Sequence, residues 1–473
     1  MEWSKLLSTE RERKSTGDVK YKKTSTDLRS EFEKDYHRII GSASFRRLQD
    51  KTQVFPLDKS DFIRTRLTHS LEVSSFAKSL GQNIGENIIA YQKDDKFTAK
   101  MKEDICSILQ CAGLIHDIGN PPFGHFGELA IRDWFRQHLS ELEYKGKKIA
   151  EVLPEVFLED LYRFEGNAQA LRLVTKLHYL VDERGMNLTY ALLGTIIKYP
   201  VSSMEVNENS EDIKNKKMGY YQADRSMFEA IQKATGTEGK RHPLTFILEA
   251  ADDIAYKTAD IEDAFVKGFL SYHTICEELK NLPDKEEESG FSALKKLEAL
   301  YQKALDRGEA NPEEYAIKNW IVRVQSFLIS CATFGFTSNY QEIMEGTYKF
   351  DLFHGTSAEE LMNLLGDMAH RRVFTSYQIY KMEVIESAIL NFLMDRFVKA
   401  VIYYDVEGEM LGAIDERFIS FISDNYKSAY RHHSEGKSEE EKLYLRLLLV
   451  TDYICGMTDS YAKRLYQELT GIF

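Results

Sequence analysis

Apolar residues repeated at the helix period constrain the fold of this chain more than any other feature of its sequence. The clearest stripe follows intervals of four, three, four, three and four residues along Ile247, Ala251, Ile254, Thr258, Ile261 and Phe265. A second long helix is predicted from Arg64, because apolar residues recur every four or five positions as far as Ile88. Residues 105–115 form a compact apolar run, typical of a buried helix, that ends before Gly119 and two prolines. With 8 Pro and 27 Gly in 473 residues, the sequence predicts an all-α protein.

The composition divides the chain into three segments. Residues 1–60 are polar and basic, which predicts an arm or lead-in. Residues 61–270 contain most of the motifs with histidines, acids and basic residues that could bind a metal or catalyse a reaction, which predicts a catalytic core. Residues 271–473 predict a helical C-terminal region that completes one compact unit. Within the core, residues 201–242 are polar and Lys-rich, which predicts an exposed excursion.

Charge, cysteine usage and hydropathy limit the class of protein. The longest uncharged run, residues 324–341, carries Gln, Ser, Thr and Asn throughout, and the N-terminus lacks the apolar core of a signal peptide. The five Cys are an odd number at no metal-like spacing, which favours free thiols in a reducing compartment. We therefore expect a cytoplasmic protein without a membrane segment. The net charge of -13 argues against a large nonspecific footprint on nucleic acid, but it allows an anionic small substrate held by a metal and local cations.

Histidines and acids on three predicted helices could form a metal site. His116 and Asp117 close the apolar run, His69 lies on the earlier helix, and the adjacent acids Asp252 and Asp253 lie on the later one. Such a mixed nitrogen and oxygen set suits Mn, Fe, Co, Ni, Zn or Mg. Spacing does not decide between the two adjacent acids. Taken alone, His69 is more simply a partly buried, satisfied histidine of an amphipathic helix.

His125 and Glu128 form a candidate acid–base pair just after the prolines. Their separation of three residues places both side chains on one face of a helical turn. A carboxylate beside an imidazole fixes its tautomer and raises its pKa, which suits a general acid. The simpler interpretation is a His–Glu surface pair at a helix N-terminus.

Further polar residues adjoin these motifs. Arg66, three positions before His69, could bind a phosphate through two parallel hydrogen bonds or could be a solvated arginine. Lys198 and Tyr199 end a helical segment before Pro200, where a lysine also interacts favourably with the helix dipole. Tyr256 and Asp260 lie at intervals of four from Asp252, along one face of the same predicted helix. Gln53, taken alone, is simply a polar residue of the N-terminal arm.

At these motifs the chain resembles bacterial dGTP triphosphohydrolases of the HD superfamily. The strings that carry the resemblance, in chain order, are RLTHS at 66–70, HDIGNPPFGHFGE at 116–128, FEGNAQ at 164–169, KYP at 198–200 and EAADDIAY at 249–256. The C-terminal string DYICGMTDSYAKRLYQ at 452–467 is similar too. The resemblance covers residues 20–265 strongly and implies an HD-domain helical fold with a C-terminal helical subdomain.

The implied reaction converts dGTP, or several dNTPs, and water to the deoxynucleoside and inorganic triphosphate. The metal ligands implied by the resemblance are His69, His116, Asp117 and Asp252. The family's ligand Asp precedes a substrate-contacting Tyr by four residues, which selects Asp252 over its neighbour. His125 is implied as the general acid for the departing 5′-oxygen, with Glu128 orienting it.

The same resemblance implies how the substrate is held. Arg66, Lys198 and Tyr199 are implied to contact phosphates, Tyr256 and Asp260 to lie near the sugar and phosphates, and Gln53 to face the deoxyribose and reject ribose. It also implies a homo-oligomer, a hexamer or tetramer, and it includes relatives with a dNTP or single-stranded DNA effector. No role for Glu165 or Asn167 follows.

Two alternatives belong to other classes. HD-type phosphodiesterases and (p)ppGpp hydrolases use the same kind of metal site on a different ester, but the strings around His125 and Lys198 disfavour them. A nucleotide-sensing scaffold with a degenerate site is disfavoured because every expected ligand is present.

Overall fold

The computed structural model describes residues 1–12, 27–54, 64–178, 184–283 and 290–472. Its regular structure is almost entirely helical, which confirms the predicted all-α class. The helices of the N-terminal half are α1 (Trp3–Leu6), α2 (Glu31–Ile40), α3 (Ala43–Arg47), α4 (Arg66–Ala90), α5 (Ala99–Ile115), α6 (Gly124–His138), α7 (Ile149–Val152), α8 (Glu155–Tyr162), α9 (Gly166–Arg172), α10 (Tyr190–Ile196), α11 (Arg225–Thr235) and α12 (Pro243–Val266).

The C-terminal half continues in the same manner. Its helices are α13 (Tyr272–Leu279), α14 (Ala293–Arg307), α15 (Pro312–Ser338), α16 (Tyr340–Glu345), α17 (Glu359–Ala369), α18 (Tyr377–Val401), α19 (Ala413–Phe421), α20 (Asp424–Ser434), α21 (Glu439–Cys455) and α22 (Asp459–Thr470). Among the described residues, two-residue strands β1 (Glu143–Tyr144) and β2 (Lys147–Lys148) pair as one antiparallel hairpin.

Helices α4 and α5 form the centre of the core. The threonine Thr65 caps α4 by accepting a hydrogen bond from the Thr68 backbone N–H. The two helices approach closely at Gly113, where a Cβ would lie 2.5 Å from the Cα of Ser74. The absence of a side chain at this glycine therefore brings the end of α5 beside the first turns of α4.

Helix α12 joins the core to the C-terminal region. The predicted stripe is buried from Ile247 to Ile261, and Phe265 is partly buried against the core. The helix packs against α4, α5 and α10 on one side and against α15 and α17 on the other. The same helix carries the polar residues Asp252, Tyr256 and Asp260 at intervals of four.

The C-terminal helices pack onto this core. Helix α18 lies against α6 and α21, and α15 lies against α4 and α12. Within the described ranges, α15 is the one helix long and apolar enough to cross a membrane by composition, with a mean hydropathy of 1.2, and half of that window is buried inside the protein. Its packing against α4 and α12 is that of a core helix.

The prediction that residues 201–242 form an exposed excursion is wrong for much of this segment. Met218 and Tyr221 are buried, and residues 225–235 form α11. The backbone at Gly219 packs so closely on the carbonyl oxygen of Tyr199 that a Cβ would overlap it. Polar composition concealed this packing because the few apolar side chains of the segment are the ones turned inward.

Candidate active site

Three predicted ligands come together from three helices. His69 lies in the first turn of α4, His116 caps the end of α5, and Asp252 lies in the middle of α12. The Oδ1 atom of Asp252 is 3.2 Å from Nε2 of His69 and 3.3 Å from Nε2 of His116. One donor atom from each residue lies within 4.8 Å of the other two, so the three could hold one ion. We call these three residues the ligand group.

The donor chemistry of this group fits a divalent cation. Nδ1 of His116 is 2.8 Å from the carbonyl oxygen of Gly113, and because only an N–H can donate to a carbonyl, the proton of a neutral ring belongs on Nδ1. Its Nε2 is buried and has no hydrogen-bond partner among the described residues. A lone pair directed at a carboxylate is unfavourable unless a cation or proton lies between them.

Asp252 keeps its charge in this group. Burial disfavours its ionised form, but Lys198 and His116 hold the pKa of its carboxyl well below the ordinary value. The Oδ2 atom of Asp252 accepts a hydrogen bond of 2.8 Å from Nζ of Lys198. Lys198, expected to contact phosphate, is therefore adjacent to the ligand group. Its neighbour Tyr199 is partly buried, and burial raises the pKa of the Tyr199 hydroxyl.

Asp117 lies at the edge of the group rather than inside it. Its Oδ1 is 3.7 Å from Nε2 of His116, and its Oδ2 accepts a hydrogen bond from the guanidinium of Arg66. Although burial opposes ionisation, His116 and Arg66 lower the pKa of the Asp117 carboxyl. Arg66 therefore links the ligand group to the neighbouring cavity. Asp253 does not belong to the group of donor atoms that could share an ion.

The candidate acid–base pair lies at the start of α6. Nδ1 of His125 is 3.2 Å from Oε2 of Glu128, and the imidazole is 73% exposed whereas the glutamate side chain is 3% exposed. The backbone N–H of Gly166 donates to Oε1 of Glu128 over 2.9 Å. The hydrogen bond and charge of Glu128 raise the pKa of His125. Against the effect of burial, His125 lowers the pKa of Glu128 to about 2.

A charged network behind this pair escaped the sequence reasoning. Arg132 lies 3.5 Å from Oε2 of Glu128 and 3.1 Å from Oε2 of Glu165. Asn167 donates to Oε1 of Glu165 over 2.7 Å, and Nζ of Lys217 lies 3.3 Å from the same oxygen. Glu165 and Asn167, for which spacing indicates no role, therefore belong to the network of charged and polar side chains beside Glu128. Lys217 could not be identified from the sequence, because the polar composition of residues 201–242 predicts an exposed segment away from the site.

A cavity of about 250 Å³ is lined by His125 and by Arg66, the residue that binds Asp117 beside the ligand group. Among its lining residues are four of the predicted site residues, Gln53, Arg66, His125 and Tyr256. Apolar side chains form most of the remaining wall, and Phe374 stacks on Tyr256 with ring centroids 6.3 Å apart and planes at 11°. Such a wall suits the flat faces of a nucleobase. The C-terminal region therefore contributes to the cavity.

Two polar side chains that line the cavity each carry an oxygen atom with no hydrogen-bond partner among the described residues. Glu386 on α18 is 1% exposed, and burial raises the pKa of its carboxyl to about 8. Its Oε1 and the Oε1 of Gln53 have no hydrogen-bond partner in the part of the chain that the structure describes. Asp260 is buried one turn beyond Tyr256 and is not among the described residues that line the cavity; burial raises its pKa well above the ordinary value.

The helical fold, with two histidines and an aspartate that could hold one ion, is consistent with an HD domain. A family model described as HD domain matches residues 66–254, and HD domains are metal-dependent hydrolases. Over the full length of both chains, the protein is 50% identical to the deoxyguanosinetriphosphate triphosphohydrolase-like protein of Listeria monocytogenes and 33% identical to that of a Synechocystis species. It is 32% identical, over 93% of each chain, to the deoxyguanosinetriphosphate triphosphohydrolase of Yersinia pseudotuberculosis. The chain therefore belongs to the dGTP triphosphohydrolase family of HD-domain proteins.

Proposed function

We propose that this protein is a metal-dependent triphosphohydrolase that cleaves dGTP, and other dNTPs less efficiently, to deoxynucleoside and inorganic triphosphate. The observation that carries the proposal is the position of Arg66. This residue binds Asp117 beside the ligand group and also lines the cavity that contains His125. A candidate metal site, a candidate general acid and a nucleoside-sized cavity thus adjoin one another. The names of the full-length relatives support the same substrate class.

Three basic side chains would balance the charge of the substrate. A triphosphate carries about four negative charges near neutral pH, which must be offset wherever it binds. Arg66 and Lys198 adjoin the ligand group, and Lys217 lies near Glu165 on the side of the candidate acid–base pair. Tyr199 completes this set in the proposal. A divalent cation held by His69, His116 and Asp252, with Asp117 beside them, would polarise the α-phosphate and lower the pKa of an attacking water.

His125 would supply the proton for the leaving group. When the bond between the α-phosphorus and the 5′-oxygen breaks, the oxygen takes a proton from Nε2 of His125. The Nδ1–H of the same ring donates to Glu128, and the bond from the Gly166 backbone fixes that carboxylate. The exposed ring faces the cavity, while its anionic partner is held rigidly below it.

Product analysis tests the reaction. Purified protein with Mn or Mg should convert dGTP to deoxyguanosine and inorganic triphosphate, separated by anion-exchange chromatography. Formation of dGMP and pyrophosphate would contradict attack at the α-phosphorus with a nucleoside leaving group.

The cavity supports selection against ribose. A 2′-hydroxyl beside Gln53 and Tyr256 would clash or leave a buried polar group unpaired, which costs roughly 1–3 kcal/mol per group. We expect dGTP to be hydrolysed at least about 100-fold more efficiently than GTP. The Gln53→Ala variant should narrow this ratio while retaining bound metal. Similar efficiencies on both nucleotides in the wild-type protein would refute the sugar-facing role.

Glu386 supports the preference for guanine. Guanine presents two adjacent N–H donors, which match a carboxylate, whereas thymine presents one N–H between two acceptors. The Glu386→Gln variant should lose its preference for dGTP over dTTP, measured as the ratio of kcat/KM values. Glu383→Gln is the matched control, because this second acid lines the same cavity and is more exposed. An unchanged ratio in Glu386→Gln would refute the assignment.

The homo-oligomer and the nucleotide effector remain part of the proposal, as does a cytoplasmic location. Light scattering should detect a hexamer or tetramer. Assays with the four dNTPs singly and in pairs should reveal an effector as activity on one dNTP only when another is present. The same assays with added single-stranded DNA test the other effector class.

A further inference from the structure

The C-terminal string at residues 452–467 contains two buried acids that bind parts of the active site. Asp452 and Asp459 are 3% and 2% exposed. The carboxylate of Asp452 accepts hydrogen bonds of 2.8 Å from Arg172 and Gln169, both on α9, the helix that begins at Gly166. Asp459 binds two other segments, both of which line the cavity. The string therefore reaches the site although its own residues do not line the described cavity.

Asp459 joins the sugar-facing segment to the loop that carries the candidate general acid. Its Oδ2 accepts hydrogen bonds from the backbone N–H of Thr52 at 2.8 Å and from its hydroxyl at 2.6 Å. Its Oδ1 accepts from the backbone N–H of Phe123 at 3.0 Å. Thr52 immediately precedes Gln53, and Phe123 stands two residues before His125. One carboxylate thus sets the distance between two walls of the cavity.

The loop held by Asp459 has an unfavourable backbone conformation. Phe123 has φ 65° and Gly124 has φ 62°, and the left-handed region is disfavoured for a residue with a side chain. Since α6 begins at Gly124, this turn sets the direction in which His125 points. A bond to the Phe123 N–H stabilises the turn against relaxation.

A neighbouring lysine joins the same segments. Nζ of the buried Lys51 donates to the carbonyl oxygens of Asn120 at 2.5 Å and Cys455 at 2.6 Å. Helix capping does not account for Asp459, because Thr458 caps α22 by accepting from the Tyr461 N–H at 3.2 Å. The bonds described for Asp459 all lead to residues outside its own helix.

We propose that Asp459 is a positioning residue that fixes Gln53 and His125 relative to each other and thereby couples sugar discrimination to turnover. The substrates used to test it rest on the proposed function. A carboxylate that accepts three hydrogen bonds cannot be replaced by a carboxamide without turning a donor toward one of the N–H groups.

Asp459→Asn is the test variant, and Ser460→Ala is its matched control. The Ser460 hydroxyl donates to Asp50 over 2.8 Å at an exposed position, so it joins α22 to the chain just before Lys51 without touching the cavity. We expect kcat/KM for dGTP to fall about 10- to 100-fold in Asp459→Asn, and the dGTP to GTP efficiency ratio to fall at least about fivefold. Ser460→Ala should stay within about twofold of wild type in both quantities. A purely structural role would lower thermal stability and leave the ratio unchanged.

Two further measurements keep the proposal testable. If Asp459→Asn does not fold, Thr52→Val removes only the hydroxyl bond, and it should lower the dGTP to GTP ratio in the same direction by a smaller factor. Hydrogen–deuterium exchange of substrate-free protein should speed up at residues 52–54 and 120–126 in Asp459→Asn but not in Ser460→Ala. If exchange is faster in Asp459→Asn but the wild-type protein cleaves no dNTP, the result would support the positioning role of Asp459 and refute the proposed function. An unchanged ratio in folded Asp459→Asn and in Thr52→Val, or unchanged exchange, would overturn the positioning role.

Discussion

Replacement of His125 by Asn separates catalysis from metal binding. The imidazole is 73% exposed, and its described ion pair is with Glu128 alone. Glu128 is buried, so removal of the imidazole leaves a buried carboxylate that still accepts from the Gly166 N–H and lies beside Arg132, and the free energy of unfolding should fall by about 1–3 kcal/mol. His125 lies outside the ligand group, so bound metal should be unchanged. Loss of a general acid should slow turnover about 100- to 10,000-fold, or about 2.7–5.4 kcal/mol in activation free energy.

His354→Asn provides a matched control for this variant. Nδ1 of His354 is 3.0 Å from Oε1 of Glu359, and both side chains of this pair are exposed, so the control removes a His–Glu pair that does not line the cavity. Its kcat should stay within about twofold of wild type.

Three assays decide between the possible outcomes for His125→Asn. Steady-state kinetics with chromatographic detection of triphosphate gives kcat, plasma mass spectrometry gives metal content, and chemical denaturation gives the free energy of unfolding. A decrease of less than about tenfold in kcat would refute the general-acid role, because a positioned acid contributes at least about 100-fold. Loss of metal in this variant would instead assign the imidazole to the ligand group.

Three other perturbations follow from the geometry. Asp252→Asn should lose bound metal and activity, measured on dialysed protein, whereas its neighbour Asp253→Asn should keep the metal because Asp253 is not among the grouped donors. Glu128 raises the pKa of His125, so the acid form persists to higher pH and kcat should fall as pH rises through that pKa. In Glu128→Gln this fall should move to lower pH in the kcat–pH profile; an unmoved alkaline limb would contradict the pairing. Gly219→Ala would force a Cβ into a neighbouring backbone carbonyl oxygen and should lower the free energy of unfolding by about 1–3 kcal/mol, an effect that an unchanged denaturation midpoint would exclude.

The parts of the fold that could be predicted are those that depend on residues close together in the sequence. The stripe from Ile247 to Ile261 predicted α12 because a 3.6-residue period follows from the backbone of one helix. The same logic placed Arg66 and His69 on α4. The choice between Asp252 and Asp253 could not be made from spacing, since adjacent residues differ by 100° around the axis and only packing against α4 and α5 decides which one faces the histidines.

The parts that could not be predicted depend on contacts between distant segments. Lys217 belongs to a polar stretch whose few apolar residues anchor it to the backbone near Tyr199. Glu386 lies beyond residues 20–265, which the resemblance covers strongly, and its place in the cavity wall depends on how α18 packs on α6. A signal was present, because Glu386 shares a helix face with Ile379 and Met382 at intervals of three and four. An acid within an apolar stripe indicates a buried carboxyl that needs a partner.

Buried polar atoms without partners connect the stability of this site to its selectivity. An unpaired buried donor or acceptor costs about 1–3 kcal/mol. Gln53, His116 and Glu386 each have a buried atom without a partner among the residues that the structure describes. For Glu386 the cost is limited because burial raises its pKa to about 8, so the carboxyl is mostly neutral at pH 7 before substrate binds. Two N–H donors of a base favour the ionised form and would lower that pKa on binding. A base that presents a donor beside an acceptor, as thymine does, would pair with the neutral carboxyl instead. The proposed preference for guanine therefore requires that its two charge-assisted hydrogen bonds outweigh the free-energy cost of ionising the buried Glu386.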